Sequence, residues 1–200
     1  MNNSNHYFSA DPKSEIILHQ INYSAGARDF TFTSASGVFS KSAVDDGSDA
    51  LIRTILAHRQ SAGILLDLGC GYGVIGISLS SLLGCRAVLC DINPRAVELA
   101  GQNCRANGAD ARAVLSDGFS EIEGCFDIIA TNPPIRAGKD VFFGWFEQAP
   151  GYLVQGGSFW CVIRKKQGAP SAREKLAEVF GNCEIMNRDK GYYVLMSRKG

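Results

Sequence analysis

The sequence predicts an α/β fold: a doubly wound, mostly parallel sheet of seven strands that ends in an antiparallel hairpin, preceded by a short N-terminal β extension. Three observations carry this expectation. From position 63 onward, short apolar β-type runs alternate with amphipathic stretches, the pattern of a parallel sheet covered by helices on both faces. The first of those runs passes directly into a glycine-rich turn, GCGYGVIG, that opens a helix. Near the C-terminus, two strand-like runs flank the tight-turn signal DKG at 189–191.

The elements follow in order. ILLDL at 64–68 reads as a buried strand, and a helix is expected around 74–83. RAVLC at 86–90 is the next strand, followed by a helix over 93–108 with Asn93 as its cap and Pro94 in its first turn. ARAVLSD at 111–117 and FDIIA at 126–130 come next, then a helix from Phe142 to about Ala149 that Pro150 must end or kink. GSFWCVI at 157–163 is a fifth strand, 171–180 a helix, and CEIMNR with YYVLMSR the closing hairpin. Ahead of these, EIILHQIN and RDFTFTSA read as a β-pair, GVFSKSAVDDG as a loop, and SDALIRTILAHR as an amphipathic helix. The organisation expected is one domain over 1–200, with 1–60 an extension and cover helix and 61–200 a cofactor-binding catalytic core.

Composition narrows the function classes. Hydrophobic residues make up 46% and charged residues 20%, ordinary for a globular chain and incompatible with a fibrous or disordered one. Twenty basic residues balance twenty acidic ones, so no overall basic field announces a nucleic-acid binder, and Arg136 with Lys139 and the run Arg164-Lys165-Lys166 are the local candidates for phosphate contact. The seven cysteines form no CxxC pair and read mostly as buried reduced thiols. With that odd count and no secretory leader in MNNSNHYFSADPKSE, a cytoplasmic location is expected. No apolar run approaches the ~18 residues that span a membrane, and the three scattered histidines form no metal-ligand spacing.

The glycine turn admits two cofactors. Glycines allow a ligand to approach the backbone, and the helix behind them offers free N–H groups. Gly71, Gly73 and Gly76 fit GxGxxG, and Asp91 lies where a dinucleotide enzyme places its ribose acid, so a nicotinamide-dependent oxidoreductase is one reading. Asp67 argues for the other, since a carboxylate just before the first glycine suits the amino group or sulfonium of S-adenosylmethionine and would repel a pyrophosphate. The closing hairpin also stands where a dinucleotide fold needs a second parallel half. A third reading is a non-catalytic cofactor-binding domain.

The stretch FDIIATNPPIRAGKD carries the candidate chemistry. Two prolines after Asn132 restrict the backbone there, so a side-chain amide and main-chain carbonyls are held in place. At the carboxyl end of a fourth strand, beside the glycine loop and the acids after the second and third, such a loop sits where open α/β sheets bind ligands.

DLGCGYG, with DINP at 91–94, SDGF at 116–119 and TNPP at 131–134, resembles class I S-adenosylmethionine-dependent methyltransferases. HYFS at 6–9, GVFSKSAVDDGSDALI at 37–52 and NPPIRAGK at 132–139 are similar to the small methyltransferase domain group, which includes bacterial 16S ribosomal RNA (guanine-N2)-methyltransferases. The resemblance implies a Rossmann-like methyltransferase fold and S-adenosylmethionine as cofactor, with S-adenosylhomocysteine as product. It also implies guanine N2 of small-subunit ribosomal RNA as the target; a protein glutamine amide and adenine N6 in nucleic acid are the alternatives.

The implied roles fall on particular positions. Asp67, Gly69, Cys70, Gly71 and Gly73 would wrap the methionine end of the cofactor, Cys70 through its main chain. Asp91 would accept from the ribose hydroxyls with Ile92 against the adenine, and Asp117 would accept from the adenine amino group with Gly118 and Phe119 near that ring. Phe39, Ser40 and Lys41 would approach the cofactor from the extension. Asn132, Pro133 and Pro134 form the catalytic loop: Asn132 Oδ1 and the Pro133 carbonyl would each accept an N–H of the target amine and turn its lone pair towards the sulfonium methyl. Ile135, Arg136, Lys139, His6 and Tyr7 are the substrate-side candidates. Ile135 stands where many relatives carry a stacking aromatic, so Phe142, Phe143, Trp145 or Phe39 would have to supply that surface unless the cluster at 142–146 packs into the core. Asp45 and Asp46 are either caps of the helix starting near Ser48 or ligand contacts.

Overall fold

Alternation along the strands decides how this chain packs. In the computed structural model, which describes residues 17–35, 43–58, 61–135 and 138–200, the inner strands of the core sheet bury both faces, as a sheet covered by helices on each side requires, while its two edge strands stay partly exposed. The described residues form nine strands: β1 (Leu18–Ala25), β2 (Arg28–Ala35), β3 (Ile64–Leu68), β4 (Arg86–Asp91), β5 (Ala111–Leu115), β6 (Phe126–Thr131), β7 (Leu153–Arg164), β8 (Glu184–Asp189) and β9 (Tyr192–Arg198). Among the same residues are the α-helices α1 (Asp46–His58), α2 (Val74–Leu83), α3 (Pro94–Ala106), α4 (Lys139–Gln148) and α5 (Ala169–Phe180).

The seven core strands lie in the order β5-β4-β3-β6-β7-β9-β8. β3 to β7 run parallel, while β9 pairs antiparallel with both β7 and β8, so the final hairpin inserts its second strand next to the parallel part. The order reverses at β3, with β4 on one side and β6 on the other. A crevice opens there at the carboxyl ends of the strands, where ligands of such sheets bind.

Leu65, Leu89, Ile128, Trp160 and Val162 point into one apolar cluster, shared with the hairpin β1–β2, α1, α2 and α3. Leu66, Leu68, Cys90, Ile129, Phe159 and Cys161 point into the other, shared with α4 and α5. Asp67 takes a position on the first face, between two apolar neighbours, and is fully buried.

The β1–β2 pair stands outside the main sheet. Two asparagines one turn apart on α3 satisfy its edge. Asn103 Oδ1 accepts from Thr33 N at 2.8 Å and its Nδ2 donates to the carbonyls of Thr33 and Tyr72 at 2.9 Å, while Asn107 pairs in the same way with Thr31 N and O. An edge that would otherwise present unpaired backbone groups is thereby covered.

Boundaries shift where local chemistry dictates. α4 starts at Lys139, ahead of the expected Phe142, and Pro150 falls in a short 3₁₀ turn over Ala149–Tyr152 that follows it. β7 begins at Leu153, ahead of the expected Gly157, and its pairing with β6 slips between Phe126 and Ile128. Gly157 permits this, because a Cβ there would stand 2.8 Å from the Val154 carbonyl and 3.0 Å from that of Phe126. α3 has the expected cap, Asn93 Oδ1 accepting from Arg95 N with Pro94 in the first turn. Of the cysteines, Cys125 is exposed and Cys183 half-buried, whereas the other five are buried. No helix among the described residues is long and apolar enough to cross a membrane.

Candidate active site

The loops after β3, β4, β5 and β6 line the crevice. After β3 the chain turns through Gly69, Gly71 and Gly73, each with positive φ, and enters α2. The turn is tied to β4: Gly69 N and Cys70 N both donate to the Cys90 carbonyl, at 2.9 and 2.8 Å, and Gly71 N donates to Asp91 Oδ2 at 2.9 Å. The Cys70 N–H is therefore occupied within the protein, and its carbonyl accepts from Gly73 N.

The glycines of this loop have different reasons to be glycine. A Cβ on Gly76 would lie 2.8 Å from Leu89 and 2.9 Å from Asp67 Cβ, so this glycine lets α2 seat against the sheet. Gly71, at φ +56°, has nothing within 4 Å of such a Cβ. It faces open space between the two acids, as a backbone approached by a ligand must.

Asp67 Oδ2 accepts from Gly76 N at 2.8 Å, inside the first turn of α2. Its Oδ1 is buried without a hydrogen-bond partner. Burial pushes this carboxyl up to about 7, the Gly76 N–H working against the rise and the neighbouring Asp91 adding to it. A buried acceptor without a donor is a place for a cationic or N–H-bearing ligand group.

Asp91 ends β4 with Oδ1 accepting from Asn93 N and Oδ2 from Gly71 N, each at 2.9 Å. Burial raises its pKa, opposed by the N–H donors of Asn93, Gly71 and Ile92. The carboxylate still has acceptor capacity that a ligand hydroxyl can use. The adjoining Ile92 is 37% exposed, an apolar face at the mouth of the crevice. Asp117 is exposed after β5. A buried carboxylate oxygen without a partner at Asp67, a second carboxylate at Asp91 and an exposed apolar side chain at Ile92 are chemistry that the cation, diol and ring of S-adenosylmethionine would fit.

Phe119 packs inward. Its side chain is 1% exposed and stacked on Tyr152, with ring centroids 4.4 Å apart, because the loop after β5 turns it into the core beneath α4. The wall at Gly118 comes from Trp145 of α4 instead. A Cβ on Gly118 would stand 2.7 Å from the Trp145 indole nitrogen, and one on Gly69 3.0 Å from the far edge of the same ring. One indole thus covers two loop glycines from different strands, and Trp145 borders the cofactor side of the crevice.

At the end of β6, Thr131 Oγ1 donates to the Leu68 carbonyl at 2.7 Å and fastens the loop to β3. Asn132 is next, with Nδ2 donating to Asp45 Oδ1 at 3.1 Å and to Ser48 Oγ at 3.0 Å. An amide nitrogen held by two acceptors fixes the direction of its oxygen. Pro133 is buried, and its carbonyl accepts from Ile135 N at 2.8 Å, leaving one lone pair. Pro134 is exposed. Ile135 packs against the second apolar cluster beside Phe143.

The proposed stacking surfaces resolve in part. Phe142 is fully buried, edge-on to Phe143 and Phe146, so it is core and offers no platform. Phe143 is only half-buried. Lys139 is exposed at the start of α4, with Nζ 3.5 Å from Ser171 Oγ. His6, Tyr7, Phe39, Ser40, Lys41 and Arg136 lie outside the described residues. Cys70 and Cys161 are fully enclosed, and burial pushes both thiols well above the usual range, so neither is a nucleophile at neutral pH.

Sequence reasoning missed the partnership of Asp45 and Ser48 with Asn132, and the cover that Trp145 places over the glycines. Asp45 does cap α1, its Oδ1 accepting from Gly47 N and Ser48 N at 3.0 and 3.1 Å. The capping signal was legible, but nothing in it tells which distant loop the same oxygen meets.

Comparison with known proteins agrees with this geometry. The family model described as methyltransferase small domain matches residues 29–196. An uncharacterized Bacillus subtilis protein, YbxB, is 44% identical over 200 residues, covering 98% of this chain and 99% of its own. Ribosomal RNA small subunit methyltransferase C of Cronobacter sakazakii is 36% identical over 178 residues, which are 85% of this chain and 51% of that one. Among solved structures, the T. thermophilus 16S rRNA N2 methyltransferase RsmC, in complex with AdoMet and guanosine, superposes with a TM-score of 0.84 at 27% identity, over 96% of this chain and 53% of that chain. The chain spans about half the length of these two methyltransferases. It belongs to the methyltransferase small domain family of class I S-adenosylmethionine-dependent methyltransferases.

Proposed function

We propose that this chain, as one domain in the cytoplasm, methylates the exocyclic N2 of guanine in small-subunit ribosomal RNA. The observation that carries the reading is the Asn132 amide, whose nitrogen is held by Asp45 and Ser48, which leaves Oδ1 as the end to meet a target amine. An exocyclic aromatic amine is a weak nucleophile because its lone pair is delocalised into the ring. Asn132 Oδ1 and the remaining lone pair of the Pro133 carbonyl accept its two N–H groups and draw the nitrogen towards a pyramidal geometry, so that its lone pair is less delocalised into the ring and is directed at the sulfonium methyl. S-adenosylmethionine supplies an electrophilic methyl on a sulfonium. Catalysis by the protein is then orientation for in-line transfer, with no covalent enzyme intermediate. The proton acidified by methylation leaves to water at the open crevice.

RNA is supported by the surroundings and by the relatives. Lys139, Arg164, Lys165, Lys166 and Lys190 are all exposed. β7 runs parallel to β6, so Arg164 to Lys166 emerge at the same edge as Asn132. A local basic rim can hold phosphates although the chain is neutral overall. Two of the three relatives named above are ribosomal RNA methyltransferases, and the T. thermophilus structure holds guanosine.

The test offers radiolabelled S-adenosylmethionine with unmodified small ribosomal subunits, free ribosomal RNA, adenine-containing DNA and a glutamine-bearing release factor. The expected result is label in the RNA, mapped to N2-methylguanine. Label confined to protein or to adenine overturns the assignment.

A further inference from the structure

We propose that Asp45, assisted by Ser48, is the positioning residue that sets the direction of the Asn132 amide; this rests on the methyl-transfer reading above. An asparagine side chain can present oxygen or nitrogen with almost the same shape. Only the oxygen can accept from an amine, so a flipped Asn132 would offer a donor to a donor. The loop containing Asn132 does not choose between the two. The choice is made 87 residues earlier in the chain, where Asp45 Oδ1 takes the Nδ2 proton at 3.1 Å, and 84 residues earlier, where Ser48 Oγ takes the other at 3.0 Å.

The holder is itself held. Asp45 Oδ1 accepts from Gly47 N and Ser48 N at the start of α1, so the carboxylate cannot swing away without uncapping the helix. Gly47 lacks a side chain where a Cβ would meet the Tyr192 ring at 2.8 Å and Asp45 Oδ1 at 3.0 Å, which seats this turn against β9. Ser48 is 3% exposed, and Asp45 Oδ2 is buried without a hydrogen-bond partner. One oxygen therefore carries three donors while the other carries none. That arrangement is dictated by the cap and by Asn132 together.

Three variants separate orientation from stability. Asp45→Ser keeps a capping oxygen but is one atom too short to reach Asn132. Ser48→Ala removes the second hold and leaves the cap. Asp45→Asn retains an acceptor that the cap amides force towards Asn132. Two readouts are followed: kcat and KM for methyl transfer to small ribosomal subunits, and the side-chain ¹⁵N–¹H resonances of Asn132 in asparagine-labelled protein, assigned with Asn132→Asp. Asp45→Ser is expected to lower kcat 10-fold to 100-fold and Ser48→Ala about 5-fold, with KM for S-adenosylmethionine within twofold. In both, the Asn132 amide resonances shift and exchange faster with water. Asp45→Asn recovers at least a third of the wild-type kcat.

Asp45→Ser with kcat within twofold of wild type overturns the proposal, and so does Asp45→Asn falling as far as Asp45→Ser. If the wild-type protein methylates none of the substrates, the proposed function fails on its own. The resonances still decide the positioning role: unshifted in Asp45→Ser and Ser48→Ala, they refute it; shifted, they support it.

Discussion

Replacing Asp67 with Asn tests the electrostatics of the cofactor site most directly. Asp67 is fully buried, one oxygen held by Gly76 N and the other without a partner, and its carboxyl lies at about 7 where the ordinary value is 3.8. In the interval between those values the folded state binds a proton that the unfolded state has released. The stability linked to that proton is full below about 4 and is lost as pH rises through about 7. The displacement corresponds to roughly 4 kcal/mol at pH 8, a ceiling that water penetration reduces. Asp67→Asn keeps the acceptor for Gly76 N and cannot ionise.

The ligand-free variant should melt above wild type at pH 8, by up to roughly 10 °C for a chain of this size, with more than half of that advantage gone by pH 5 and the rest by about pH 4. Cofactor binding should show the converse. A cationic ammonium needs the ionised acid, so wild-type affinity for S-adenosylhomocysteine should weaken up to about tenfold per unit as pH falls below 7, while Asp67→Asn binds weakly without that slope. Differential scanning calorimetry and titration calorimetry over pH 5–8 measure both. A melting difference that stays constant across the range would refute the reasoning, because Asp67 would then titrate like an exposed carboxyl.

Asn132→Ala should lower turnover at least 100-fold, about 3 kcal/mol in the barrier, with cofactor affinity within threefold, whereas Asp91→Ala should weaken the cofactor first; equal loss of both by Asn132→Ala in calorimetry and rate assays would make its role structural. Gly71→Ala should cost about 1 kcal/mol of stability for its positive φ and weaken cofactor binding at least tenfold, while Gly76→Ala should cost several kcal/mol through its collision with Leu89 and the Asp67 stem, as read by denaturant melts. Asn103→Ala strips partners from Thr33 and Tyr72 and should cost roughly 2 to 4 kcal/mol, with faster hydrogen exchange in β2. Trp145→Phe should abolish the change in tryptophan fluorescence on S-adenosylhomocysteine binding, because Trp160 is enclosed in the core with its Nε1 donating to Ser158.

Local chemistry was legible in the sequence because its causes are local. Short apolar runs marked β3, β4, β6 and β9, Asn93 with Pro94 marked the start of α3, and the glycines after Leu68 marked the strand-to-helix turn. The acids at the strand ends emerged from the same pattern, since Asp67, Asp91 and Asp117 each stand at or just past the last residues of a strand. The orphaned state of the Asp67 oxygen did not.

Tertiary structure decided which side chains meet. Phe119 and Trp145 are both aromatic and close to the loops, yet the first turns into the core against Tyr152 and the second lies over Gly69 and Gly118. No periodicity distinguishes them, because the outcome depends on where α4 crosses the sheet. The hold of Asp45 and Ser48 on Asn132 is non-local in the same sense. It exists because β6 lies beside β3 in the sheet and α1 packs over β7 and β9, bringing a helix cap to a strand end far away in the chain. The sequence alone determined an amide between a strand end and a pair of prolines; the fold determined which partners hold its nitrogen, because hydrogen-bond direction is set by neighbours in space.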